Sequence, residues 1–276
     1  MTQISAADVL KLVAQGGVAD LSGKDLSGIQ LLGATLKLVN FRQANLTKAN
    51  LFEADLTDCD LTGATLDQAN LEGVNLTGAV LPGATLKKAA VGRAVFESCD
   101  LSRADFSEAG MIDTLIGRSV ATDAIFRAAN LGVAKLVESS FFGANFLDAD
   151  LTDASLDSSL FNGAGFVRAR FDLAHATPAI FANTNYRDAR LRDVSFNGCI
   201  FRGADLTGAD LVGAFLDQAD FSGATLAGTV LSRASLHGAN LTDCDLSQTI
   251  LDGAKYDQQT RWPAGFDPVA ADAKLE

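Results

Sequence analysis

Apolar residues recur along this chain with a period of five. From Gln43 to Leu66 the leucines are Leu46, Leu51, Leu56, Leu61 and Leu66, and Ala or Cys stands two residues before each. An α-helix carries residues i and i+5 to directions about 140° apart, so the leucines would spiral around it. A single long strand would send alternate leucines to opposite faces. A chain that turns a corner every five residues keeps them together. The frame runs from Leu21 to Tyr256 without insertion or deletion, and Leu or Phe fills 41 of its 48 positions, too many for chance. The exceptions are Val91, Met111, Ile116, Ala121, Ala176, Tyr186 and Tyr256.

Each place in the pentapeptide has a physical reading. The central Leu or Phe and the small residue two before it share one side of a short extended piece and point inward. The two residues after the centre make the corner. Gly takes the second of them at 17 of its 25 occurrences, as a turn with positive φ at its third residue requires. Asp or Asn often precedes the centre, where its side chain can bond nearby backbone and support the bend. Four corners close a coil of 20 residues. The pattern therefore predicts one continuous all-β solenoid of about 12 coils, about 55–60 Å long at strand spacing.

The segments ANLTK, ANLFE, ADLTD, ADLTG and ADLVG fit the motif A(D/N)LXX letter for letter. In them the chain resembles the pentapeptide-repeat protein family over residues 19–258. The resemblance implies a right-handed quadrilateral β-helix; the handedness comes from the resemblance alone.

The solenoid's ends require covers. Ser5-Ala6-Ala7-Asp8 reads as a helix start with apolar VLKLVA behind it, so residues 5–15 are expected to form a short N-terminal capping helix within segment 1–18. Segment 259–276 breaks the beat. There Trp262 and Phe266 are expected to cap the last coil, with Pro263 and Pro268 turning the chain.

Charge narrows the partners. With 22 Lys+Arg against 34 Asp+Glu the net charge is −12, which argues against a bulk electrostatic grip on nucleic acid or anionic membrane. No secretory leader and no run long enough to span a bilayer are read, so a cytoplasmic protein is expected.

Wrapping the sequence at 20 groups residues by face. One outward column holds Asp100, Val120, Ser140, Leu160, Ile180, Ile200 and Asp220, with Phe142 on the same face. The apolar members Val120, Phe142, Leu160, Ile180 and Ile200 are candidates for partner binding or self-association. The plainer reading is tolerated surface apolars. Arg168, Arg170, Arg187, Arg190 and Arg192 gather near one corner beside Asp148, Asp150, Asp172, Asp188 and Asp193, which reads as mixed surface ion pairs, with a recognition patch as the sharper alternative. Ala121 and Ala176 are small where the core expects Leu or Phe. Phe161, Phe166 and Phe171 compensate in volume beside Ala176, and a local binding notch is the functional alternative.

Little here can do covalent chemistry. His175 and His237, the only histidines, lie three coils apart on the wrap and cannot share a metal or a triad. Cys59, Cys99, Cys199 and Cys244 all take the small inward place, where Cys acts as a small hydrophobe. Asp pairs such as Asp58/Asp60 and the Asn-Leu-Thr sequons arise from the repeat itself. No catalytic residues, metal or cofactor are expected, and an enzyme is not.

The reading is a non-catalytic interaction protein, a rigid rod presenting a protein-binding surface. The alternative comes from the resemblance, since similar family members protect or inhibit type II topoisomerases such as DNA gyrase by mimicking duplex DNA, as in quinolone resistance. A rod of this length would match about 34 duplex charges, against a net −12 here. Residues 205–252, with Asp205, Asp210, Asp217, Asp220, Asp243 and Asp245 among seven Asp against Arg233 alone, form the candidate acidic surface. Homodimerisation through an end or through the apolar stripe stays open.

Overall fold

In a computed structural model that describes residues 4–276, the chain divides into two compact units, Met1–Lys135 and Leu136–Glu276.

The first unit opens with α1 (Ala6–Ala14). The Ser5 hydroxyl accepts from the Asp8 N–H, and the Asp8 carboxylate accepts from the Ser5 N–H, a reciprocal cap that satisfies two free helix donors. Val9 is fully buried, while Leu10 is exposed. From Asp20 on, the residue before each centre pairs in parallel with the residue 20 farther along, as in Asp20↔Asn40, Asp25↔Asn45, Gln30↔Asn50 and Thr35↔Asp55. A register of 20 built from five-residue sides is a four-sided solenoid turn. The pairing widens into strands at β1 (Val95–Glu97) and β2 (Leu115–Gly117), with Val95 opposite Leu115. The chain passes to the second unit along β3 (Lys135–Val137).

One pentapeptide shows why the motif has its composition. In residues 59–63 all five N–H groups are accounted for. The Asp60 N–H donates back to the Val39 carbonyl at 3.1 Å. The Leu61 and Gly63 N–H groups donate forward to Val80 and Pro82, at 2.7 and 3.0 Å. The Cys59 N–H closes the preceding corner on Leu56 at 3.2 Å. The fifth, on Thr62, donates to the Asp60 side chain at 2.9 Å. Asp or Asn before the centre is thus the acceptor for the one amide the wall leaves over. Gly63 sits at φ 65°, and Leu38, Lys48 and Val133 hold the same corner place at φ 62°, 58° and 51°. The wall's hydrogen bonds impose the left-handed conformation on residues that do not favour it.

The small inward place also has a polar variant. Cys59, Thr114, Ser159, Cys199 and Thr229 each donate from the side chain to the carbonyl 23 residues back, at 2.8–3.0 Å; Cys59 Sγ, for example, lies 2.9 Å from the Leu36 oxygen. That bond explains how Ser and Thr can replace Ala in a dry core.

The second unit keeps the register, as in Ser140↔Leu160 through Ile200↔Asp220. Its core is aromatic. Phe141, Phe161, Phe181, Phe201 and Phe221 stack in one column with centroids 4.9, 5.1, 5.0 and 4.8 Å apart, near the wall's own strand spacing. Phe146, Phe166 and Tyr186 form a second column at 4.8 Å steps. Near the C-terminus the register slips. Asn240 pairs with Arg261, and β4 (Lys255–Tyr256) pairs in parallel with β5 (Lys274–Leu275), Lys255 opposite Lys274. The segment after the last regular repeat therefore returns to the wall. Trp262 stacks on Phe266 at 5.3 Å and meets Tyr256 edge-on at 5.4 Å.

Candidate partner-binding face

Leu160, Ile180 and Ile200 stand immediately before the inward Phe161, Phe181 and Phe201, on successive rungs joined by the parallel bridges Leu160↔Ile180 and Ile180↔Ile200. The wall holds them firmly. The Phe161 and Phe181 N–H groups donate to the Ile180 and Ile200 carbonyls at 2.7 Å, and the Ile180 N–H donates to Ser159 at 3.0 Å. Their side chains face outward, and Leu160 is 44% exposed. This is the place where the motif puts Asp or Asn to accept the leftover amide. Three aliphatic side chains in a row give up that bond, a loss of about 0.5–1.5 kcal/mol each.

The neighbouring corner residues deepen the surface. Ser158, Pro178 and Gly198 are all short, and with Ala179 and the three aliphatics they enclose a depression of about 360 Å³. Pro178 occupies the corner place that is left-handed elsewhere, and its ring forbids positive φ. The corner opens there, and the Ser158 N–H donates to the Pro178 carbonyl at 2.7 Å. A second depression, about 420 Å³, shares Pro178 and Gly198 and is lined otherwise by Thr177, Asn197, Asp217 and Gln218. Sequence reasoning singled out the aliphatics but gave Pro178 no part in this face.

The other two apolar candidates sit apart from this groove's lining. Phe142 is 57% exposed in the second unit, and Val120 is 45% exposed in the first, bridged to Asp100.

The acidic candidates divide into two groups. Asp205, Asp210 and Asp220 are each held by an arginine 18 residues earlier: Arg187 at 3.2 Å, Arg192 at 2.5 Å and Arg202 at 2.5 Å. Partial burial raises the carboxyls of Asp205 and Asp220, but hydrogen bonds from Thr207 and Arg187, and from Ser222 and Arg202, outweigh it and hold both below the usual carboxylate range. Asp217 accepts from Ser235 Oγ at 2.5 Å and from the His237 N–H at 3.1 Å. Asp243 occupies an exposed corner at φ 59°, and Asp245 accepts from the Ser247 N–H at 2.9 Å. In the arginine cluster, Arg168 pairs with Asp148 at 2.7 Å, Arg170 with Asp150 at 3.1 Å and Arg190 with Asp172 at 2.6 Å.

Ser235, His237 and Asp217 make a catalytic-looking trio, but their geometry is wrong for one. The Ser235 hydroxyl and the Asp217 carboxylate both lie on His237 Nδ1, at 2.9 and 3.2 Å. A relay needs them on opposite ring nitrogens. Burial pushes the four thiols up to about 12, so they remain protonated and unreactive at neutral pH. Among the described residues no group of three His, Cys, Asp or Glu is placed to hold a metal, and no helix is long and apolar enough to cross a membrane.

Solved structures similar to this one include the following three. HetL, a pentapeptide repeat protein involved in heterocyst differentiation regulation from the cyanobacterium Nostoc sp. strain PCC 7120, is 25% identical with a TM-score of 0.48, over 91% of this chain and 97% of that one. A trypsin-treated form of QnrB1, a plasmid-mediated fluoroquinolone resistance protein, is 20% identical with a TM-score of 0.35, over 79% and 89%. The pentapeptide repeat protein alr5209 from Nostoc PCC 7120 is 31% identical with a TM-score of 0.27, over 33% and 84%. Among curated protein sequences none matches. The family model of pentapeptide repeats matches in eight copies, over residues 19–51, 54–90, 124–163, 184–223 and 216–253. These matches span well over half of the residues, and the chain belongs to the pentapeptide-repeat family.

Proposed function

We propose that this chain is a non-catalytic interaction scaffold, a right-handed quadrilateral β-helix of about 12 coils that takes a protein partner on the face formed by Leu160, Ile180 and Ile200. One observation carries the reading. On three successive rungs the motif's Asp or Asn before the centre gives way to an aliphatic residue, and the adjoining corners are short enough to leave a groove. Burying such a surface against a partner recovers hydrophobic free energy that exposure forgoes. Helix α1 covers one end in this reading, and Trp262 and Phe266, packed with Tyr256, close the other. The test compares the proteins retained by the wild type, by Leu160→Asp/Ile180→Asp and by Phe215→Asp, a control at another exposed apolar residue. A partner kept by the wild type and the control, lost by the double variant, and shown to bind directly once purified supports the reading. A partner set unchanged by the double variant overturns it.

The alternative, inhibition of a type II topoisomerase by DNA mimicry, draws on Asp217, Asp243 and Asp245, which have no lysine or arginine partner among the described residues. It is the weaker reading because Asp205, Asp210 and Asp220 are already neutralised by Arg187, Arg192 and Arg202. Gyrase supercoiling with added protein decides it. No effect at tens of micromolar is expected, and inhibition abolished by Asp243→Asn/Asp245→Asn would reverse the ranking.

A further inference from the structure

The two depressions that meet at Pro178 and Gly198 form one groove across a corner, apolar on one side and polar on the other. Resting on the binding-face reading above, we propose that its occupant is a basic amphipathic α-helix of a partner protein, lying along the column of rungs.

Spacing selects the helix. The three aliphatic anchors lie one rung apart, roughly 4.8 Å. Along a helix, residues i, i+3 or i+4, and i+7 rise by about 4.5–6 Å per step, so three successive anchors meet three rungs. Same-side residues of an extended segment are about 6.6–6.8 Å apart, which puts the third nearly 4 Å out of step. Strand addition is closed as well. The Ile180 carbonyl already accepts from the Phe161 N–H, the Ile200 carbonyl from the Phe181 N–H, and the Ile180 and Ile200 N–H groups donate to Ser159 and Ala179. The amides left over, on Asn162, Ala182 and Arg202, belong to residues whose carbonyls already accept from Gly143, Gly163 and Asn183, so no alternating row of free donors and acceptors is offered.

Charge selects the basic flank. Neither depression is lined by lysine or arginine. Asp217 lines the polar half, and Asp157, one of whose oxygens accepts the Thr177 N–H at 2.7 Å, stands in the same outward column. His175 lies 3.5 Å from Asp157 and His237 Nδ1 lies 3.2 Å from Asp217, and neither carboxylate has a lysine or arginine partner among the described residues. A helix with apolar residues on one stripe and Lys or Arg on the adjacent one meets both halves, and the net charge of −12 favours its approach.

A random-peptide display library, selected on the full-length wild type and counter-selected on Ile180→Asp, tests this. Melting curves of the variant confirm that its fold is intact. The expected winners carry apolar residues at i, i+3 or i+4, and i+7, with Lys or Arg on one flank. Their affinity should fall at least about tenfold with Ile180→Asp and about threefold to tenfold with Asp217→Asn. The second loss should vanish for a peptide whose Lys and Arg are replaced by Gln. Winners that depend on Ile180 but show alternating apolar residues or acidic flanks would overturn the helix proposal and leave the binding face standing. A selection yielding no peptide that depends on Ile180 would overturn both.

Discussion

Replacing Tyr186 with Phe should stabilise the protein. The ring is fully buried, stacked 4.8 Å from Phe166 and surrounded by Phe171, Phe181 and Phe201 at 5.7–6.0 Å. Its hydroxyl has no hydrogen-bond partner in the protein, and burial raises its pKa well above the ordinary value. A buried hydroxyl left unpaired costs about 1–3 kcal/mol. Tyr186→Phe removes that cost and keeps every ring contact. It loses the dispersion contacts of one oxygen, about 0.1–0.2 kcal/mol per atom pair. The net expectation is a gain of about 1 kcal/mol, read as a rise in melting midpoint of about 2–4 °C. Midpoints rather than extrapolated free energies are the proper readout, because long repeat arrays can unfold non-cooperatively. Tyr186→Leu, which forfeits the stack, should destabilise. A Tyr186→Phe protein that melts several degrees lower would refute the reasoning, because it would mean the hydroxyl is paired and the core is not dry.

Other perturbations report on other parts of the fold. Val133 holds φ 51° at a corner, so Val133→Gly should stabilise by about 1 kcal/mol through relief of strain, visible as a higher midpoint. Gly78 has φ 73° and an added Cβ would meet the Asp58 carboxylate, so Gly78→Ala should lower the midpoint, with Asp58→Ala restoring part of the loss. The four thiols, pushed up to about 12 by burial, should resist a disulfide reagent at pH 8 in the native protein and all react in denaturant. The Asp205 and Asp220 carboxyls lie below their unfolded value near 3.9. Their stabilisation is therefore complete above that pH and lost as pH falls through the lower folded values, so the melting midpoint should drop below about pH 4.

The repeat was legible because each of its places answers one backbone demand. Asp60 was expected to bond nearby backbone, and its side chain accepts the Thr62 N–H. Other features were hidden for physical reasons. Gly marks the positive-φ corner where it occurs, but Leu38 adopts the same conformation because its N–H is bound to the Thr57 carbonyl in the wall, and a tertiary bond leaves no local sequence signal. The arginine partners of Asp205, Asp210 and Asp220 escaped because wrapping at 20 aligns identical places, whereas these pairs run diagonally at 18. The groove beside Ile180 needed Ser158, Pro178 and Gly198 to be seen as neighbours of one another, and its depth depends on side-chain sizes across three coils. The C-terminal pairing of β4 with β5 breaks the period, so no frame of five could place it.

The central claim concerns one face, and isoleucine methyl NMR of the protein titrated with its purified partner tests it most directly. Ile180 and Ile200 lie in the groove, whereas Ile112 and Ile250 are exposed elsewhere and serve as internal controls. The account predicts that the Ile180 and Ile200 methyl signals shift or broaden on binding while those of Ile112 and Ile250 stay in place. Binding that moves Ile112 or Ile250 and leaves Ile180 and Ile200 unchanged would contradict it.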